Sequence, residues 1–225
     1  MKNNHKNTTP KRYSDQVEYY LNHLEKQRKA MKNKYSILGQ HHNHLDSFVR
    51  SSVSKLKSGS KILDAGCGLS AWTNTKLRKK YKISGIDGEP DSIAACKILY
   101  PGQNYSVGNL YKLDIRENVF DCVVMREVIE HFITPEVAVE EVNRILKKNG
   151  LFILTTPNYD SKLVFLIENT YNRFFGGACK PYKDDVHPSK FNSRTLAIIL
   201  SKYFEIEKLE TIDYGISQVC IARKR

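Results

Sequence analysis

Apolar positions along this chain repeat with two periods, and the periods alternate. Over residues 13–31 the spacing is helical: Val17, Tyr20, Leu21 and Leu24 fall three and four residues apart, behind Ser14 as an N-cap. A second helix is predicted over 41–56, with Leu45, Phe48, Val49, Val53 and Leu56 on one face. From Ile62 onward short apolar runs take over. Strands are predicted at 61–65, 81–87, 105–107, 120–125 and 151–156, and the fourth is apolar on both faces (Val123, Val124, Met125), as in a buried parallel sheet. Between them lie helical segments at 71–80, at 90–100 behind Pro90, and at 134–148 behind Thr134-Pro135, the last stopped by Asn149-Gly150. A helix at 195–202 and strands at 204–212 and 217–223 complete the pattern. Such alternation predicts an α/β fold with a doubly wound sheet, whose ligands bind at the carboxyl ends of the strands. Asp64, Asp87, Asn109 and Glu127 all fall at or just beyond such ends.

Length and composition divide the chain further. Its 225 residues suit one domain with a modest extension. The expected division is a polar, disordered basic tail at 1–12, a helical extension at 13–57 and the α/β domain at 58–225. Residues 159–190 would be a long aromatic insertion forming a lid together with the N-terminal helical extension. The net charge of +12 is uneven. Residues 1–60 carry twelve Lys or Arg against four Asp or Glu, an excess of eight, so RNA is a possible partner of the N-terminal segment. The plainer reading is a solvated, lysine-rich helical face. No stretch reaches the length of a membrane span, and the five cysteines are scattered with no C-x-x-C, so a reduced, cytoplasmic protein with no membrane contact is expected. His41, His42 and His44 cluster at the start of the second predicted helix, with one acid, Asp46, and no cysteine close by in sequence; a polar, exposed helix start is the plainer reading than a metal site.

The chemistry starts at K-I-L-D-A-G-C-G-L-S, residues 61–70. Glycine suits positions 66 and 68 because a tight turn and a closely approaching ligand both exclude a side chain. The next helix would bring its free N–H groups to the same place. The run 66–71 also satisfies the permissive G-x-G-x-x-G/A fingerprint of dinucleotide sites. Asp64 argues against a dinucleotide, since its carboxylate would repel a pyrophosphate and attract a ligand carrying an ammonium and a sulfonium.

D-A-G-C-G resembles the first motif of class I S-adenosylmethionine (SAM)-dependent methyltransferases. Three stretches support the resemblance in order: G-I-D-G-E-P at 85–90, F-D-C-V-V-M-R-E-V-I-E-H at 120–131, and L-K-K-N-G-L-F-I-L-T-T-P-N at 146–158. It covers roughly 58–225, and Ser70 stands where many members have a third glycine. The resemblance implies a Rossmann-like, seven-stranded sheet ending in an antiparallel pair. It also implies SAM as cofactor, held by Asp64, Gly66, Cys67, Gly68, Asp87, Gly88, Asn109, Leu110 and Arg126. Asp87 would accept the ribose hydroxyls; Asn109 would face adenine, with Asp114 as the alternative. Trp72 is expected in the core.

The E-V-I-E-H run is similar to one in ubiquinone-pathway O-methyltransferases and in small-RNA 3′-terminal 2′-O-methyltransferases. Some of these bind a divalent metal near the acceptor hydroxyl. Here a metal could sit at Glu127, Glu130 and His131, with His187 falling where such enzymes place another histidine. Without a metal, Glu127, His131 and His187 are the catalytic candidates, His131 or His187 as general base. The expected acceptor is a small molecule with a hydroxyl or amine. RNA methylation and SAM binding without catalysis stand as alternatives.

Overall fold

The computed structural model describes residues 15–166 and 187–225. Two helices come first, α1 (Asp15–Lys32) and α2 (Ile37–Ser54). The sheet follows: β1 (Lys61–Ala65), β2 (Lys82–Asp87), β3 (Asn104–Val107), β4 (Phe120–Arg126), β5 (Leu146–Pro157), β6 (Phe204–Ile212) and β7 (Ser217–Lys224). Between the strands lie α3 (Thr75–Lys80), α4 (Pro90–Leu99), a 3₁₀ turn (Ile129–His131), α5 (Pro135–Ile145), α6 (Lys162–Leu166) and α7 (Ser193–Leu200).

The strands form one sheet in the order β3-β2-β1-β4-β5-β7-β6. The first five are parallel, and β7 runs antiparallel between β5 and β6. Two cores follow from the period of two along the central strands. Leu63, Val123, Met125, Phe152 and Leu154 face α5 and α7. Ile62, Cys122, Val124 and Ile153 face the other way, onto Val49 and Val53 of α2, Leu77 of α3 and Trp72. The sheet is thus covered on both sides, as a parallel sheet must be.

Three boundaries differ from the sequence reading, each for a local reason. The helix expected over 71–80 begins only at Thr75, because residues 66–74 form a loop. Ser70 takes a positive φ of 50°, and Asn74 caps the N–H of Leu77 at 3.0 Å. The second helix starts at Ile37, capped by Ser36, so its three histidines sit within it and not at its start. The helix expected to reach Lys148 stops at Ile145. Leu146 instead pairs with Phe120, and Lys147 is held by Asp121 at 2.6 Å, so 146–150 join β5. The tail at 1–12 lies outside the described residues, and the insertion at 159–190 is described at 159–166 and 187–190.

α1 and α2 pack against each other so closely that a methyl added at Gly39 would sit 2.1 Å from the carbonyl oxygen of Ala30. Backbone cannot yield as a flexible side chain does. Gly39→Ala is expected to lower stability by about 1–3 kcal/mol, the usual cost of overpacking. Denaturant unfolding checks this, and an unchanged midpoint would refute the tight helix pair.

Candidate functional site

Parallel pairing brings the strand ends to one rim. Asp64 lies beside Gly85 of β2 and Val124 of β4, so Asp64, Asp87 and Arg126 close neighbouring strands. After β1 the chain must turn sharply. Gly66 has φ 70°, and a Cβ there would lie 2.6 Å from the Val128 methyls. Its N–H and that of Cys67 both donate to the Ile86 carbonyl, at 2.8 and 3.0 Å, tying the turn to β2. Ser70 adopts the left-handed backbone that a glycine would otherwise supply. Its hydroxyl donates to Asp64 Oδ2 at 2.5 Å. The substitution at the third glycine position therefore gives the buried acid a partner.

Asp64 is 2% exposed. Burial pushes its carboxyl up to about 7; Ser70, the Trp72 indole and the Arg126 charge oppose that rise. Asp87 is oriented by two backbone donors, Gly68 N–H to Oδ2 at 2.8 Å and Glu89 N–H to Oδ1 at 2.9 Å. Its loop-facing oxygens are thus preset at the mouth of a cleft of about 750 Å³. Gly66, Gly68, Asp87, Gly88, Asn109 and Leu110 line one part of this cleft, and Glu127, Val128, His131 and Phe132 the other. A Cβ at Gly68 would meet nothing within 4 Å, so the turn offers open backbone to a ligand.

Three of the residues expected at the cofactor lie behind the cleft wall. Asp64 is buried beneath the turn. The Cys67 thiol points into a small core with Ile93, Cys96 and Tyr105, leaving only its backbone in the turn. Arg126 turns toward α2, where its Nε ion-pairs with the fully buried Asp46 at 2.8 Å and its guanidinium meets His42 Nδ1 at 3.1 Å. The helix N-terminus also departs from expectation, since α3 starts seven residues beyond Gly68.

The E-V-I-E-H run separates its two acids. Glu127 follows β4 with φ 55°, a conformation that bulky L-residues rarely hold. Thr155 of β5 secures it. The Glu127 N–H donates to the Thr155 carbonyl at 3.0 Å, and the Thr155 hydroxyl donates to Glu127 Oε1 at 2.7 Å. Glu130 turns inward, 1% exposed, and accepts from the Thr156 hydroxyl at 3.0 Å. Burial, then the neighbouring Glu127 charge, raises its carboxyl well above the ordinary range. Among the described residues, the set with ligand atoms within 4.8 Å of one another is Glu130, His131 and His187, and not the trio Glu127, Glu130 and His131 at which the sequence allowed a metal. A carboxylate and two imidazoles are a donor set that suits a divalent cation, and a buried acid that resists ionisation gains most from one. The residues present therefore fit such an ion.

Other partners had no local signal in the sequence. Asp213, in the β6–β7 turn, receives both His41 (Nδ1 to Oδ2, 2.5 Å) and His44, and His41 Nε2 lies 3.3 Å from Ser217 Oγ. The histidine cluster thus has an acidic partner after all, supplied from far along the chain. Tyr159 meets His187 Nδ1 at 2.6 Å.

Residues 63–154 match the family model described as a methyltransferase domain. A probable SAM-dependent methyltransferase of Mycolicibacterium smegmatis is 31% identical over 45% of this chain and 39% of its own length. A ubiquinone biosynthesis O-methyltransferase of Bradyrhizobium diazoefficiens is 31% identical over 46% of this chain and 42% of its own. The chain therefore spans about two fifths of these curated relatives, 39% and 42%. Among solved structures, a Pyrococcus horikoshii protein superposes with a TM-score of 0.66 over 87% of this chain and 93% of its own. At 17% identity, that likeness shows the fold alone. Together, the glycine turn with its acids, the β7 insertion and these matches mark residues 63–154 as similar to a methyltransferase domain, in a chain that resembles SAM-dependent methyltransferases, whose cofactor is SAM.

The Asp64 carboxyl yields a pH prediction. Its pKa of about 7 means that it is largely neutral in mild acid. A cationic ligand favours the ionised form, lowers that pKa, and so expels a proton on binding. SAM affinity is expected to be full above about pH 7 and to fall by up to about tenfold per pH unit below it. The unliganded protein behaves oppositely: this acid's contribution to stability is complete below about pH 4 and is lost as pH rises through about 7. Titration calorimetry in buffers of different ionisation heat measures the released proton. Proton release that persists unchanged in Asp64→Asn would refute the assignment.

Proposed function

We propose that this protein transfers the methyl group of SAM to a hydroxyl or amine of a small-molecule acceptor, bound beside Glu127, His131 and His187. The observation that carries the reading is the single cleft whose one part is glycine backbone and oriented carboxylate while the other presents Glu127 and His131. Bound SAM supplies an activated methyl on a sulfonium, so no acid is needed for the leaving group.

The chain's own residues divide the remaining work. Asp87, fixed by Gly68 and Glu89, is suited to accept two ribose hydroxyls. Asn109, whose Oδ1 is held by the Tyr111 N–H at 2.9 Å, lines the same part of the cleft and suits an adenine edge. Asp64 acts on the ligand's positive charge through the turn rather than by open contact. At the other part, an acceptor hydroxyl must lose a proton as the methyl arrives; His131 lines the cleft there and His187 packs edge-on against it, ring centroids 4.7 Å apart, which supports either as the base. Val128 and Phe132 give that part of the cleft an apolar wall. A divalent cation at Glu130, His131 and His187 would add Lewis-acid activation of a hydroxyl. The match to a ubiquinone biosynthesis O-methyltransferase favours oxygen as the methylated atom.

Transfer of labelled methyl from SAM to a panel of phenols, catechols, amines and RNA tests the reading. His131→Gln is expected to cut the rate by about 10²–10⁴-fold with SAM affinity intact, as for loss of a general base. Asp87→Ala should weaken SAM binding by tens-fold, about 2 kcal/mol. Methylation of RNA alone would move the acceptor to the second class. SAM binding without turnover on any acceptor would leave a non-catalytic binding protein.

A further inference from the structure

The two parts of the cleft come from different stretches of chain, and one side chain joins them. Residues 109–112 form a tight turn after β3. It is closed by the Lys112 N–H on the Asn109 carbonyl at 3.0 Å and by the Tyr111 N–H on Asn109 Oδ1 at 2.9 Å. Asn109 and Leu110 of this turn line the cofactor part of the cleft. Tyr111 reaches the segment between the 3₁₀ turn and α5. Its hydroxyl oxygen accepts from the Ile133 N–H at 3.0 Å and, over a longer 3.4 Å, from the Thr134 N–H. Its ring packs edge-on against Phe132, with centroids 5.0 Å apart. Phe132 lines the acceptor part.

Both partners of this link are otherwise anchored at a distance. The loop after β3 is fixed to the body of α5 beyond the turn. There the Leu113 N–H donates to Glu141 Oε1 at 2.6 Å, and Arg144, ion-paired with Glu141, donates to the Leu113 carbonyl at 3.2 Å. The segment opposite is held from behind, where the Ser189 hydroxyl donates to the Phe132 carbonyl at 2.7 Å. Ile133 is 80% exposed, so side-chain burial does little to fix that segment. Thr134 caps α5 without a side-chain hydrogen bond of its own. The backbone N–H groups of 133 and 134 thus find their acceptor on Tyr111.

We propose that Tyr111 is a positioning residue that couples the two parts of the cleft. A ligand seated against Asn109 and Leu110 fixes the turn, and through the Tyr111 ring and hydroxyl it fixes the Phe132–Thr134 segment beside the acceptor. This deepens the methyl-transfer reading and rests on it for the identity of the ligand, not for the link.

The route is short. The Asn109 carboxamide is bonded directly to the Tyr111 N–H, so a ligand that orders that side chain orders the tyrosine. The same hydroxyl then restrains two consecutive N–H groups at the start of α5. Such ordering matters for an in-line transfer, where a misplacement of about 1 Å can cost about a hundredfold in rate. Coupling of this kind is reciprocal: an acceptor that settles against Phe132 would tighten the cofactor turn by the same factor.

The test is amide hydrogen exchange on the full chain, read at Ile133 and Thr134 with and without SAM, beside calorimetric titration of SAM. In the unsubstituted protein SAM is expected to slow both amides by about 5–150-fold, the usual span of coupling between two sites. Tyr111→Phe keeps the ring and removes the acceptor oxygen. Both amides should then exchange faster, SAM should no longer slow them, and SAM affinity should be little changed. With an acceptor identified by methyl transfer, this variant should lose about 10–100-fold in kcat/KM for that acceptor, with the KM for SAM unchanged. A merely structural bond would speed exchange in the variant but show no dependence on SAM in the unsubstituted protein. SAM that binds the unsubstituted protein and leaves both amides as they were overturns the coupling, whether or not the variant folds. Equal slowing by SAM in the variant overturns Tyr111 as its carrier. Failure of SAM to bind the unsubstituted protein would overturn the methyl-transfer reading as well, and calorimetry tells that failure from the others.

Discussion

Carboxylates buried at the carboxyl ends of parallel strands must be answered by something, and the upper half of this molecule is arranged around that need. Asp64, Asp46 and Glu130 are all nearly inaccessible, and burial disfavours the charge on each. The protein supplies hydroxyls to two of them, Ser70 for Asp64 and Thr156 for Glu130. It supplies guanidinium to the third, from Arg126 and Arg50. What it does not supply among the described residues is a full positive charge in contact with Asp64 or Glu130. That deficit leaves both carboxyls favouring a proton, and positive charge brought close to either turn would relieve it.

The same rim shows how strain is secured. Glu127 and Ser70 both hold left-handed backbones that glycine would take more easily, and each is locked by a neighbouring strand or turn. Thr155 grips Glu127 by its N–H and by its carboxylate. Ser70 is gripped from within the turn, its N–H donating to the Cys67 carbonyl at 2.6 Å. Glycine at either place would relieve the backbone and lose a side chain that the site uses.

Much of this was legible in the sequence, because it depends on short-range signals. The alternation of apolar periods marks the strands and helices; the D-A-G-C-G and G-I-D-G-E-P runs mark two neighbouring strand ends. What was hidden depends on side-chain direction. Arg126 follows β4 just as a cofactor-binding residue would, yet Asp46 on α2 draws it away. Glu127 and Glu130 are spaced to converge on a helix, but one left-handed residue sends them apart. Asp213 and Tyr159 join the histidines across 172 and 28 positions, and no local pattern announces either contact.

The bond from Asp213 to α2 has a consequence for how the chain acquires its shape. The lower half of α2 is apolar, and Val49 and Val53 settle in a core made mainly by β1, β2, β4 and β5, with Ile221 of β7 as its one buried member from the C-terminal hairpin. Its upper half packs on α1 at Gly39 and is tied in addition to the turn between β6 and β7. Contacts between such distant parts are made late, after the entropy of closing the long intervening loop has been overcome. α2 is then expected to dock from its far end first. The bonds from the histidine end to Asp213 would form only when the last two strands are paired, so they would be late to take their form.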